Sequence, residues 1–441
     1  MIVGAGPCGL ACARELDRLG HRNWTLLERG AGPGGLAASV RDPAGFTWDL
    51  GGHVVFSHFG EFDALLEEAM GADVLRHDRS SFVRFGDRWI PYPFQNHLHH
   101  LPPEVRDECL DGLAGAPGVA GAEDPDFASW MLAVFGEGVT RHFMAPYNLK
   151  VWATPAETMS ASWIAGRVSV VDRERAGSGA DDPAWGANAS FSFPAVGGTG
   201  EIYRRLAARL GERIRYQVAA VAVDPDARAV RTAAGETLRY DALVSTMPLD
   251  RLVAALAPAV PAPVRAAAAE LVANGVYMVG VGYESPLADS RSWMYFPDPE
   301  VPFYRVTNFA KYSPANVPDG DTSRYSSYMT EAAFSPSRPL ARDGLEDRVE
   351  AGLREAGVIA GRPPVASVHV ERIEYAYPVP TIARDRALGA IQPWLMARDI
   401  YSRGRFGAWR YEAGNMDHAV KMGIDAARAL LSGAREELWR P

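Results

Sequence analysis

The chain has 441 residues, of which 47% are hydrophobic, 10% aromatic and 22% charged. That composition is globular, excludes disorder as the main state, and at this length implies two or three domains. A formal net charge of −9 argues against nucleic acid as a partner, because that partner needs a basic face. Cys8, Cys12 and Cys109 cannot form a disulfide framework, so a reducing, cytoplasmic location is expected. The longest uncharged apolar run, Leu271 to Tyr283, falls short of the roughly 18 residues of a membrane span. The apolar start lacks a basic stretch, so neither a signal peptide nor a membrane partner is expected.

In chain order, Met1 to Val3 predicts a short strand, Gly4-Ala5-Gly6-Pro7-Cys8-Gly9 a tight turn, and Leu10 to Leu19 a helix ended by Gly20. Trp24 to Leu27 predicts a second strand, which ends at Glu28. Residues 30–60 are a glycine-rich loop region, and Glu61 to Met70 predicts a helix. Phe82, Phe85, Trp89 and Tyr92 lie between turns and predict a hairpin over 80–95. Residues 100–175 are mostly helical in pattern, with a Gly/Pro interruption near 115–125. Short alternating steps over 212–247 end in a buried strand, Tyr240 to Thr246. Residues 250–395 predict one alanine-rich helix among aromatic strands. A last unit runs from a strand, Asp399 to Ser402, through a glycine turn to a helix over about Asn415 to Leu431.

Gly4, Gly6 and Gly9 supply what a bound diphosphate requires: a tight turn, close backbone approach and tight helix–strand packing. Glu28, at the end of the second strand, has the spacing of a carboxylate that accepts from ribose hydroxyls. A second glycine stretch, Gly32-Pro33-Gly34-Gly35-Leu36-Ala37, follows that acid. The closing strand–turn–helix unit, with Gly404, Arg405 and Gly407, would bring a positive helix end to the same cofactor. Both features favour FAD over NAD. His97, His99 and His100 cluster in sequence but match no standard zinc spacing, so no metal is expected.

Longer segments carry a resemblance. They are Gly51-Gly52-His53-Val54-Val55-Phe56-Ser57-His58, Pro91-Tyr92-Pro93-Phe94-Gln95-Asn96, Phe143 to Trp152, and Phe193 to Gly200. The second half adds Tyr295-Phe296-Pro297, Phe303-Tyr304-Arg305, Lys311-Tyr312-Ser313-Pro314, Tyr377-Pro378-Val379-Pro380-Thr381 and Ser402 to Asn415. Over almost its whole length the chain resembles the UDP-galactopyranose mutase family, its eukaryotic-type branch in particular. The resemblance implies an isomerase acting on a nucleoside-diphosphate hexose. It would interconvert UDP-galactopyranose and UDP-galactofuranose through an adduct between the sugar and N5 of reduced FAD. The implied partners are the nucleotide sugar and a reductant for the flavin, with NADPH a candidate; oligomeric state is left open.

The resemblance also implies roles. Arg167 and Arg305 match pyrophosphate arginines, a task suited to a permanently charged, forked donor. His53 and Asn188 match residues beside the flavin and sugar. Tyr295, Tyr312, Tyr377 and Tyr411 match tyrosines around the diphosphate, and Tyr92, Gln95, Phe143, Asn148 and Trp152 the nucleoside pocket. Gly4, Gly6, Gly9, Glu28, Gly35, Leu36, Gly52, Val218, Gly404, Arg405, Asn415 and Met416 fall at cofactor-binding positions. Val196, Met416 and Ala419 depart from the polar residues common in that family, which implies weaker flavin binding or a shifted potential.

The expected fold is α/β. A Rossmann-like FAD-binding domain would be assembled from 1–78, 185–250 and 396–441, with a helical domain over 100–184. An antiparallel-sheet substrate domain would be built from 79–99 and 251–395. Three alternatives stay open at this point: the same ring contraction on a GDP- or dTDP-linked hexose, an amine-oxidase-type flavin oxidoreductase, and a nucleotide-sugar binding protein without flavin chemistry.

Overall fold

In the computed structural model the chain is described over residues 1–118, 126–164, 168, 176, 179, 181 and 189–439. Five short strands form an all-parallel sheet in the order Ile400–Ser402, Leu243–Ser245, Ile2–Val3, Leu26–Leu27, Ile214–Arg215. A parallel sheet is covered on both faces, so its three inner strands are buried and apolar apart from Ser245. Ile2, Leu26 and Val244 face a cluster with Leu10, Ala13, Val420 and Ile424. Their neighbours Val3, Leu27 and Leu243 face the opposite cluster, with Leu252, Leu388 and Ile391. The first cluster is covered by helices Pro7–Arg18 and Met416–Ser432. The first helix begins earlier than the apolar periodicity suggests, because Pro7 is preset for the first helical position.

A seven-stranded sheet runs in the order Val365–Pro378, Ala273–Tyr283, Ser326–Phe334, Arg305–Asn308, Trp293–Tyr295, Ser81–Phe85, Arg88–Pro91. The apolar run from Leu271 is therefore a central strand of this sheet, buried among its neighbours. The pairing is antiparallel with one exception. The hairpin Ser81–Phe85/Arg88–Pro91 attaches in parallel to Trp293–Tyr295. The sheet is antiparallel as expected apart from this one step, where two segments so distant in sequence need no reversing turn between them.

Helices Pro103–Gly115, Phe127–Val139 and Ala145–Trp152, the last entered through a π-turn at Thr140–Met144, enclose an aromatic-rich core. Asp126 caps the second helix, its Oδ1 accepting from Ser129 N at 2.9 Å. Residues 249–396 hold more helix than the single alanine-rich one expected: Leu249–Ala255, Ala262–Ala269, Leu345–Glu355 and Arg384–Met396. The first two are only seven and eight residues long, and the prolines around them obscure the helical period. Among the described residues no helix is long and apolar enough to cross a membrane.

Candidate active site

The turn after the first strand is built from two kinds of glycine. A Cβ on Gly9 would lie 1.9 Å from the Gly4 carbonyl oxygen, so the protein itself forbids a side chain there. On Gly6 the nearest atom to a Cβ is Gly35 Cα at 3.9 Å, an ordinary contact. Gly6 therefore meets no protein obstacle, which suits a backbone that a ligand must approach. The helix it opens has no side-chain cap and no acidic residue in its first turn, leaving a positive N-terminus for a phosphate. Gly34 N donates to Ala5 O at 2.8 Å, which fastens the second glycine loop, with Gly35 and Leu36, to the first. Glu28 accepts from Ala5 N at 2.8 Å and Gly30 N at 2.7 Å, and its own carbonyl accepts from Val218 N at 2.8 Å. A Cβ on Gly404 would lie 3.1 Å from Cys8 Cβ in the first turn, so the closing unit reaches the same place. Asn415 precedes the helix Met416–Ser432, which packs against the first helix, and Met416 is half-buried against that cluster. These residues fit a dinucleotide: a glycine cradle, an open helix end and a braced carboxylate.

Beyond this cradle lies a row of side chains set by strand register. Tyr295, Arg305 and Glu331 are directly opposite one another on three adjacent strands. Glu331 Oε1 accepts from Arg305 Nη2 at 2.5 Å and from Gly52 N at 2.6 Å, and Tyr304 OH donates to its other oxygen. A Cβ on Gly52 would lie 2.5 Å from Thr307 Oγ1 and 3.1 Å from Arg305 Cζ, so only glycine lets this loop touch the arginine. Burial disfavours the Arg305 cation, but Glu331 and the surrounding tyrosines outweigh it and hold its pKa well above the usual range. Burial likewise opposes the Glu331 carboxylate, yet Arg305 and the hydrogen-bond donors pull its pKa down.

The Arg305 charge acts on the hydroxyls of Tyr147, Tyr295, Tyr312 and Tyr377. Burial raises the pKa of each above that of free tyrosine, so all are protonated donors at neutral pH. Tyr92 packs on Tyr295 at 5.1 Å between ring centroids, with the Arg79 guanidinium 5.5 Å from its ring. Tyr411 meets Trp152 at 4.8 Å and Tyr377 at 5.6 Å. Arg405 lies over Tyr377 and donates to Gly414 O and Ala376 O. His53 comes under both Arg405 and Arg305. Burial first, and these cations second, hold its pKa down at about 4, and its Nδ1 is buried without a hydrogen-bond partner.

The expected nucleoside residues sit behind this array. Phe143 is stacked on Phe94 and Tyr147, Asn148 Nδ2 donates to Met144 O at 2.8 Å, and Trp152 and Gln95 are buried. The faces of Phe143 are thus engaged by protein rings and not left open. Arg167 and Asn188 lie outside the described residues. Val196 is exposed, and Ala419 is buried near Cys8.

Four residues around Arg305 and the neighbouring tyrosines have no role in the sequence analysis: Glu331, Tyr304, Tyr147 and Arg79. Tyr147 and Tyr304 stand inside quoted motifs. Glu331 is the single charge in the strand Ser326–Phe334, an anomaly that marks a buried partner.

Residues 7–431 match the family model described as flavin containing amine oxidoreductase. The chain is similar to a crystal structure of reduced UDP-galactopyranose mutase, with 39% identity and a TM-score of 0.95, over 99% of this chain and 94% of that one. It shares the fold of wild-type putrescine oxidase bound to putrescine, at 17% identity, TM-score 0.68, and 98% of both chains. It also shares the fold of a CLA-producing fatty acid isomerase from P. acnes, at 16% identity, TM-score 0.66, and 98% of both chains.

Proposed function

This chain belongs to the UDP-galactopyranose mutases, within the flavin-containing amine oxidoreductase family, and from that premise we propose that it interconverts UDP-galactopyranose and UDP-galactofuranose. The observation that carries this reading is the 39% identity over 99% of the chain. The locked Arg305 cation ringed by neutral tyrosine donors supports it. An amine oxidase shares the cofactor end of the fold without needing that ring.

FAD is the cofactor, and when bound and reduced it would supply a nucleophile for the anomeric carbon. Gly4, Gly6, Gly9, Glu28, Gly35, Leu36, Gly52, Val218, Gly404, Arg405, Asn415 and Met416 would hold it. Arg305, with Arg167 from its motif context, would grip the diphosphate as it gains charge on leaving the sugar. Such donors, fixed in advance and shielded from water, are each worth about 3–4 kcal/mol to a transition state. Tyr295, Tyr312, Tyr377 and Tyr411 would add hydrogen bonds without adding net charge, so the diphosphate can return to the rearranged sugar. Tyr92, Gln95, Phe143, Asn148 and Trp152 would form the nucleoside end. His53 is neutral at physiological pH and would orient the flavin-side loop; Asn188 would meet the sugar.

The test is to reduce the FAD-loaded protein with dithionite and supply UDP-galactopyranose and UDP-galactofuranose separately, with GDP- and dTDP-hexoses in parallel. Chromatography should show the other ring form from the UDP sugars. No ring isomer from any donor would overturn the proposal.

A further inference from the structure

Among the described residues two clusters bring two histidines and a carboxylate within ligand distance of one another. They differ in what the carboxylate is already doing. Asp417 is buried, and its two oxygens accept from His58 N, His58 Nδ1, His418 N and His418 Nδ1 at 2.8–3.1 Å. That carboxylate is saturated and its charge spent. In the other cluster, a single oxygen, Asp181 Oδ1, meets His99 Nε2 at 3.0 Å and His100 Nε2 at 2.7 Å.

We propose that His99, His100 and Asp181 form a binding site for a divalent transition-metal ion of the Zn²⁺ class. Two imidazole nitrogens and a carboxylate oxygen are borderline donors that suit Zn²⁺ over Mg²⁺ or Ca²⁺. Ligand atoms around a tetrahedral Zn²⁺ ion at bond lengths of about 2.0–2.1 Å lie about 3.3–3.4 Å apart, so Asp181 Oδ1 must move a few tenths of an ångström from each imidazole, and all three ligand atoms already lie within 4.8 Å of one another. Asp181, His99 and His100 keep 53%, 25% and 35% of their side-chain surfaces exposed. An ion can enter, and water can complete its shell. His97 takes no part as a ligand. It is fully buried, its Nδ1 is bonded to Pro93 O at 2.9 Å, and its ring braces the turn from behind. The Arg88 guanidinium meets the backbone carbonyl of His100, not the imidazole.

The histidine spacing alone gave no metal pattern because the third ligand is some eighty residues away in sequence. The ion would tie the turn Leu98–His100, just past Gln95, to a residue that lies between Arg167 and Asn188 in the chain.

Tag-free, FAD-loaded protein, stripped with chelator, is titrated with ZnCl₂ by calorimetry. It is also titrated with CoCl₂, following visible ligand-field bands. One equivalent of Zn²⁺ should bind. Asp181→Asn and His100→Gln should each weaken it at least about tenfold, the least that loss of even a supporting group costs. Both sites are surface positions, so metal-free melting should match the parent; His99→Gln replaces either variant if it does not. Absence of Zn²⁺ binding, or binding of equal strength in these variants, overturns the proposal, and the second result would move the ion elsewhere.

Discussion

Arg305 and Glu331 stand directly opposite each other on neighbouring antiparallel strands, and Glu331 binds at once the guanidinium and the amide of Gly52. One carboxylate therefore sets both the Arg305 cation and the loop that carries His53. Glu331→Gln keeps the shape and loses the charge. It should lower kcat/KM about 10–100-fold, or roughly 1.4–2.7 kcal/mol, in steady-state assays of the reduced enzyme. Glu331→Ala strands a buried guanidinium and should cost roughly 3–5 kcal/mol of stability in denaturant melts. Wild-type-like activity in Glu331→Gln would refute the coupling.

The two glycines of the first turn should separate folding from cofactor binding. Gly9→Ala forces a Cβ to 1.9 Å from a carbonyl oxygen and should prevent folding or lower the melting temperature sharply. Gly6→Ala meets nothing in the protein closer than 3.9 Å, and its φ of −78° is ordinary for alanine. It should melt, as apoprotein, like the parent while FAD affinity drops about tenfold or more, read by flavin fluorescence. Undiminished affinity would show that Gly6 does not face the cofactor.

Lys150 should make stability depend on alkaline pH. Its ammonium donates to Asp298 O at 2.5 Å and Val301 O at 3.0 Å, yet burial and then Arg338 bring its pKa down to about 7 from 10.5. Between those values the unfolded chain binds more protons at this site than the folded one. The site's contribution therefore rises as pH climbs from about 7 to about 10.5. Denaturant unfolding of Lys150→Met across that range should lack this rise; parallel pH curves would contradict the assignment.

His53 should be absent from the pH–rate profile. Its pKa is lowered to about 4, so it does not change charge between about pH 5.5 and about 8. His53→Asn should slow turnover yet leave the shape of the profile unchanged. Disappearance of a limb near the ordinary histidine pKa would instead assign it a proton-transfer role.

Much of the architecture was legible because glycine turns and apolar strands are local signals. The first turn, Glu28, the hairpin and the last helix lie near where pattern alone put them. Glu331 was not legible in that way. Its meaning comes from strand register across the sheet, which no spacing along the chain encodes. The alanine-rich helix Ala262–Ala269 was legible, but Leu249–Ala255 was not, because a helix of two turns beside a proline shows too little of its period. Asp181 joined His99 and His100 only through folding, while His97, next to them in sequence, turned inward to a carbonyl. The motif-based roles of Arg167 and Asn188 fall outside the described residues.

The strand Leu243–Ser245 is flanked on one side by Ile2–Val3 and on the other by Ile400–Ser402. During synthesis the ribosome must therefore release most of the polypeptide before the last of these neighbours emerges. Until then Leu243–Ser245, an inner strand of the finished sheet, is left unpaired along one side, a template for association with other unfinished chains. Because Gly404 of the closing unit lies against the first glycine turn, a message truncated before the final strand should yield a colourless, aggregation-prone product.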